Sequence, residues 1–443
     1  MKRQYSETTK KQKNPPSGAH LGGKDIMEKT LGVYIHIPFC AGKCAYCDFY
    51  SLAGHEKLMP SYQHAVLHHI KEYAPQLDGY LTDTVYFGGG TPSYYGADRL
   101  ISIFNALKKY GHVLLDAEVT AEVNPDSITK ADLVRMRRAG FNRISVGVQS
   151  ANDALLKSLG RRHNFAAAEE AVKNARDAGF SNVSIDLIFG LPSQSRDEWA
   201  DTLNRAAALK PEHISCYGLK IEEGSQLYIY KDSPFMPDDD AQADMYLYAV
   251  ETLSRFGFKQ YEISNFARRG YESRHNMKYW FGDEYLGFGA AAHSYIGGVR
   301  YNYIADLEKY SENVLSGQNI LDLREEISDF ERASEYLMLR LRTTRGISEK
   351  EYVDIYPCSM DKTINLLRFY ESHGWAVFSD DRWSFTPQGF LLSNRLIGEI
   401  LETQTKQRTE MTKPWEKPEE AVQRSQMTLF DRKPQEVQMF RGI

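Results

Sequence analysis

Three of the chain's five cysteines, Cys40, Cys44 and Cys47, fall in one short window, spaced C-x3-C-x2-C inside YIHIPFCAGKCAYCDFY. A loop that tight can turn three thiolates toward one centre. Soft thiolates select iron–sulfur clusters, zinc or copper(I). A structural zinc site wants four ligands, and no fourth Cys or His follows the motif within a few residues. A four-iron cubane suits three thiolates better, because one iron stays open for a ligand that is not protein. A structural zinc knuckle is the alternative.

An odd cysteine count with three in one motif reads as metal ligation in a reducing compartment, not as a disulfide framework. No apolar run of about 18 residues exists to span a membrane. The polar N-terminus lacks the apolar core of a signal peptide, so the chain reads as cytoplasmic. The net charge of -5 gives no electrostatic case for nucleic acid as the main partner. The 443 residues suffice for two domains.

Residues 1–29 are rich in Lys, Ser, Gly and Pro and are expected to be a disordered arm. The charged, Gln-rich stretch 403–443 is expected to be a disordered tail, with Met427-Thr428-Leu429-Phe430 an incidental apolar patch or a docking motif. Between them, strand patterns at 31–37, 84–87, 118–123, 143–148, 183–189 and 213–219 alternate with helical ones at 61–74, 97–110, 129–139, 165–178 and 195–209. Repeated β–loop–α units imply parallel strands with right-handed crossovers. Six such strands fall short of a closed eightfold barrel and fit a partial (β/α)6 barrel over 30–300, its active face at the C-terminal strand ends. From about residue 327 three helices and a hairpin around Asp380-Asp381 suggest a small winged-helix-like α+β module within 301–402. Nothing there is strongly basic, so a lid or docking role fits better than DNA binding.

Gly88-Gly89-Gly90-Thr91-Pro92 follows a strand, and consecutive glycines let a backbone approach a ligand closely. Cys216 and Cys358 read as packing residues. His64 and His68 stand four apart on a helix and read as a solvated face.

With YIHIPFCAGKCAYCDFYS, FGGGTPS, EVNPD, SVGVQS, LGRRH, IDLIFGLP and YEISNFA in view, the chain from Leu31 to Leu401 resembles the radical SAM superfamily. The likeness is to the branch of the oxygen-independent coproporphyrinogen III oxidases and the heme chaperones of the HemW family. The resemblance implies a [4Fe-4S] cluster on the three cysteines and S-adenosylmethionine (SAM) beside it. It implies that Tyr34 supports the cluster-bound methionine moiety, that Tyr46 contacts the adenine, and that Gly89, Gly90 and Thr91 border the amino acid part. Glu122 would meet a cationic amine or sulfonium, Gln149 sits at the next strand end, Arg161 suits the carboxylate and Asp186 a ribose hydroxyl.

Two positions favour the heme chaperones. The oxidases carry a fourth cysteine where this chain has Phe49, and the chaperones carry H-N-x-x-Y-W, here His275-Asn276-Met277-Lys278-Tyr279-Trp280. Imidazole ligates heme iron, so His275 is the candidate for heme capture. A structural His275–Asn276 pair is the competing role, and His293 a lesser candidate ligand. The resemblance thus implies a chaperone that binds heme and passes it to client hemoproteins, respiratory ones among them, with room for a homodimer and peripheral membrane contact. The cluster would serve dimerisation or gating. The rival is a radical SAM enzyme of porphyrin biosynthesis that decarboxylates coproporphyrinogen III.

Overall fold

The computed structural model describes residues 29–356 and 358–410. The expected arm up to residue 28, the tail from 411 and the Met427-Thr428-Leu429-Phe430 patch lie outside the described residues.

Six strands follow one another in chain order as parallel neighbours: β1 (Lys29–Ile37), β2 (Tyr80–Gly89), β3 (Val113–Val123), β4 (Arg143–Gln149), β5 (Val183–Phe189) and β6 (His213–Gly218). This is the expected (β/α)6 arrangement. Two short strands, β7 (Lys259–Gln260) and β8 (Asn265–Ala267), extend the β6 edge antiparallel. On the other edge β9 (Tyr285–Phe288) adds to β1 in parallel, and β10 (His293–Ile296), β11 (Val299–Tyr303) and β12 (Leu321–Glu326) continue antiparallel. The sequence had not indicated these last four strands. The expected domain limit at 300 falls inside β11, which is paired on both sides, so the sheet runs on to Glu326.

Strand alternation sorts the side chains into two faces. The outer face is apolar: Leu31, Val33, Ile35 and Ile37 of β1, and Val85 and Phe87 of β2, have no or almost no exposure. They pack under the helices Met59–Tyr73, Ala97–Tyr110, Lys130–Ala139 and Phe165–Asp177. Each such side chain contributes about 1.5–3 kcal/mol by leaving water. The concave face is polar: Thr84 and Tyr86 on β2, Glu118 and Glu122 on β3, Arg143 and Ser145 on β4, Asp186 on β5 and Ser215 on β6. The helices start where the sequence marks them. Thr129 and Ser195 each close a capping box, and Gly140 ends its helix at φ 114°, a value Gly adopts without strain.

The C-terminal module consists of the helices Asp329–Arg340, Glu349–Ile355 and Asp361–Ser372, the hairpin β13 (Ala376–Ser379) and β14 (Arg382–Phe385), and the helices Pro387–Leu391 and Ser393–Glu410. The hairpin turns through Asp380 and Asp381 as expected, both at positive φ. The last helix outruns the expected start of the tail at 403. Gln404 is fully buried, its amide nitrogen donates to Tyr352 and Ser359, and its carbonyl accepts from Thr363. Those bonds give the helix a reason to continue to Glu410.

Candidate cluster and SAM site

The cysteine loop is anchored at both ends by backbone bonds. Gly90 and Thr91 donate to Ile37 and Phe39, and Leu52 donates to Pro38. Within it, Ala45 donates to Leu159 and accepts from Leu227. The loop is thereby tied to the strand ends of β1 and β2 and to two later loops. Side chains at Gly89 and Gly90 would collide with this frame. A Cβ at Gly89 would stand 2.6 Å from the His36 ring, and one at Gly90 2.9 Å from the carbonyls of Ile37 and Phe39.

Cys40, Cys44 and Cys47 are free, half-buried thiols lining one cavity of about 370 Å³ at the C-terminal ends of the strands. The same cavity collects Tyr46, Gly89, Gly90, Thr91, Glu122, Gln149, Arg161 and Asp186. These residues span some 147 positions of sequence (186 less 40, both ends counted) and come from four strands and two loops. Tyr34 stands one layer deeper, its hydroxyl 3.1 Å from His36 Nδ1 and its ring stacked on Tyr86. Among the described residues no three His, Cys, Asp or Glu side chains are gathered to hold a single ion. The three thiols are instead set around the cavity.

The polar groups of the cavity are only partly satisfied. Arg161 donates from Nη2 to Asn124 Oδ1 (2.7 Å) and to the Gly147 carbonyl (2.8 Å), and Nη1 reaches Cys44 Sγ at 3.6 Å. Its buried Nε has no partner, nor has that of Arg143. Asp186 accepts from Ser145 and Ser215 (3.0 and 2.7 Å), and burial pushes its carboxyl above the usual range. Glu122 accepts from the Tyr86 hydroxyl (2.9 Å), and burial pushes it up to about 7. Gln149 is held at φ 67°, a left-handed backbone that costs about 1 kcal/mol outside Gly and marks functional sites. Burial also raises the thiols of Cys40 and Cys47. Three thiols, an arginine with a spare donor and two desolvated carboxyls fit an iron–sulfur cluster with a zwitterionic ligand beside it. Phe49, 63% exposed, stands at the cavity mouth.

His275 is placed elsewhere. The segment forms a helix, Arg274–Phe281, capped by Ser273 and closed by Gly282, and it plugs the N-terminal end of the barrel. His275 is 1% exposed. Its Nδ1 lies 2.8 Å from Thr84 Oγ1 and its Nε2 2.9 Å from the Tyr279 hydroxyl, and burial pushes its pKa down to about 3. Iron ligation by His275 would require one of these contacts to break and the helix to move. From this segment only Asn276 reaches the cavity. His293 is exposed at the start of β10. Cys216 and Cys358 are buried.

The sequence did not single out Tyr86, Asn124, Arg143, Ser145, Ser215 or Tyr217, which also line the cavity. Polar residues at every second position of β3 to β6 are the signal that could have found most of them.

The radical SAM superfamily model matches residues 34–206, and the HemN C-terminal domain model matches 327–392. The heme chaperone HemW of Bacillus subtilis is 33% identical over 372 residues, covering 83% of this chain and 98% of that protein. That of Mycobacterium tuberculosis is 35% identical over 384 residues, covering 84% and 95%, and that of Escherichia coli 31% over 377, covering 83% and 97%. The solved coproporphyrinogen III oxidase (HemN) from Escherichia coli, a radical SAM enzyme, superposes with a TM-score of 0.73 at 24% identity, over 85% of this chain and 92% of that one. The likeness to HemN is one of fold, whereas the likeness to the chaperones extends over almost their whole length at a third of positions: the chain belongs to the heme chaperone HemW family of the radical SAM superfamily.

Proposed function

We propose that this protein is a cytoplasmic heme chaperone that holds a [4Fe-4S] cluster on Cys40, Cys44 and Cys47 and SAM in the adjoining cavity, binds heme, and passes it to client hemoproteins. The observation that carries the reading is the gathering of three free thiols and the strand-end polar residues on one cavity, in a chain of the HemW family. The cluster, when bound, supplies a redox centre with one iron open to a non-protein ligand. Around it, Arg161 offers its spare Nε–H to a carboxylate. Glu122 and Asp186 offer carboxyl oxygens to an amine and to ribose hydroxyls. Gly89 and Gly90 keep the wall thin, and Tyr46 offers a ring and backbone to a base.

The barrel with its antiparallel extension is taken as the binding unit. The module from residue 327 is taken as a lid or docking unit, supported by its seam on the barrel: Ile263 donates to Arg342 and Thr344 donates to Tyr261. Among the described residues no helix is long and apolar enough to cross a membrane, so hand-over to a membrane-bound client would take place by peripheral contact, and a homodimer is the assembly proposed.

The test is anaerobic reconstitution of the full chain, followed by iron and sulfide analysis, hemin titration, and incubation with SAM, a reductant and coproporphyrinogen III. Cluster iron with about one hemin bound per chain, and no protoporphyrinogen, is the expected outcome. Protoporphyrinogen formed with turnover, or no hemin bound, would overturn it.

A further inference from the structure

Heme capture, on the chaperone reading above, calls for an axial ligand to the iron, and imidazole is the usual one. Among the described histidines, His36, His69, His163, His213 and His275 are buried, each with a ring nitrogen engaged inside the fold. His55, His112 and His373 are exposed but spend a nitrogen on Ala53, Asp78 and Phe369. His68 pairs with Glu72. Two exposed imidazoles are left without a hydrogen bond or ion pair, His64 and His293, and the second faces Arg300 and Asp322. His64 stands on the outer helix Met59–Tyr73, away from the concave face.

His293 stands on that face. Tyr285 points inward against Tyr279 and pairs with Tyr295, so Tyr295 and, two residues earlier, His293 share the inner side of the sheet. The register carries the row on from His293 to Asn302 of β11 and Leu323 of β12. Leu323 is 59% exposed, an apolar side chain left in water one strand away from a free imidazole's neighbour. Further down the same face Arg300 is clamped by Glu335 at 2.9 Å, which closes that end under the helix Asp329–Arg340. The other end is near the cluster site. The His293 backbone lies against Gly287, which pairs with Tyr34, whose hydroxyl meets His36, and the His36 ring packs where a Gly89 side chain would be.

We propose that His293, and not His275, is the axial ligand of heme, with the macrocycle lying across the Asn302–Leu323 end of the concave face. The step is a ligand exchange: a neutral imidazole nitrogen gives its lone pair to the iron and a weakly held water leaves, with no electron or proton transferred. Hemin is titrated into reconstituted full-length wild type, His293→Ala, His64→Ala and His275→Ala, read by visible absorption and by electron paramagnetic resonance of the ferric heme. The expected result is loss of the histidine-ligated signature and a fall in affinity of about tenfold or more in His293→Ala, with cluster iron unchanged and His64→Ala like wild type. His275→Ala unfolds at lower denaturant, and whatever remains folded keeps the wild-type heme spectrum. A wild-type spectrum and affinity in His293→Ala, or loss of the signature in a folded His275→Ala, overturns the inference while leaving the chaperone reading intact. Failure of wild type itself to bind hemin overturns both.

Discussion

Glu118 and Glu122 sit on the same strand, four residues and about 13 Å apart, and both point into the barrel. Their surroundings differ completely. Glu118 receives the backbone N–H groups of Arg274 and His275, at 3.1 and 3.0 Å, so an anion caps the first turn of a helix whose dipole favours it. His275 in turn spans Thr84 and Tyr279, and Lys278 meets Asp83 at 2.9 Å. Glu122 receives the Tyr86 hydroxyl, with the Gly89 backbone N–H beside it, and otherwise faces the cavity. The floor of the barrel is a polar layer sealed by a helix, and the rim is a polar layer left open. A buried polar group with every partner supplied holds a fold together, and one with partners missing awaits a ligand.

That contrast can be broken by substitution at either layer. The largest effect is expected at the rim and on ligand content alone. Cys40→Ala, Cys44→Ala or Cys47→Ala should each take reconstituted iron from about four per chain to near none. The ligand-free fold should lose no more than about 0.5–1 kcal/mol, because these side chains are half-exposed and pack little. Equal losses of stability and iron would show that the loop is part of the core. At the floor the sign reverses. Glu118→Ala leaves two helix N–H groups unpaired in a dry site and should cost about 3 kcal/mol by urea unfolding, with cluster content per folded chain unchanged.

Glu122 sharpens the contrast through pH. Its folded pKa is raised to about 7, above the ordinary value near 4.3. Folding therefore takes up a proton in that window, and stability of the ligand-free protein falls as pH rises from about 4.5 to 7, then levels off. Glu262 has the same raised value from burial, so the wild-type slope carries both groups. Glu122→Gln should remove one share of it and gain about 2 kcal/mol at pH 8 relative to pH 5. Identical slopes for wild type and Glu122→Gln would mean that solvent or a cation already satisfies the carboxylate.

The rim was legible in the sequence because its residues cluster in short motifs at strand ends, as Gly89 to Thr91 and Cys40 to Cys47 do. The floor was not. Thr84 and Glu118 lie mid-strand and look like tolerated polar residues, and their partner His275 lies more than 150 positions away in the chain. The segment His275–Trp280 carries a histidine, an amide and two aromatic rings, a composition that suggests a ligand as strongly as a seal. Only the helix, which turns His275 inward and Asn276 toward the cavity, decides between them. The strands β9 to β12 escaped notice for a related reason. β9 and β10 are four residues each, with inward Tyr285 and Tyr295 beside outward Leu286 and Ile296, and all but the first residue of β12 are exposed, so the apolar contrast that marks a strand is weak.

The smallest effect distinguishes the layers most finely. Gln149 is 8% exposed, lines the rim cavity, and sits at φ 67° where β4 shifts register against β5. A side chain kept in a left-handed backbone without a hydrogen bond to justify it is strain tolerated for a ligand's sake. Gln149→Gly relieves that strain, worth about 0.5–1 kcal/mol, against some added freedom of the unfolded chain. Unfolding should thus shift little or slightly upward, while SAM affinity measured by calorimetry on the reconstituted protein falls by about tenfold. A loss of stability beyond about 1 kcal/mol would mean that Gln149 holds the strand end as Glu118 holds the floor, and the division between a sealed and an open layer would then fail at the position where it is drawn most narrowly.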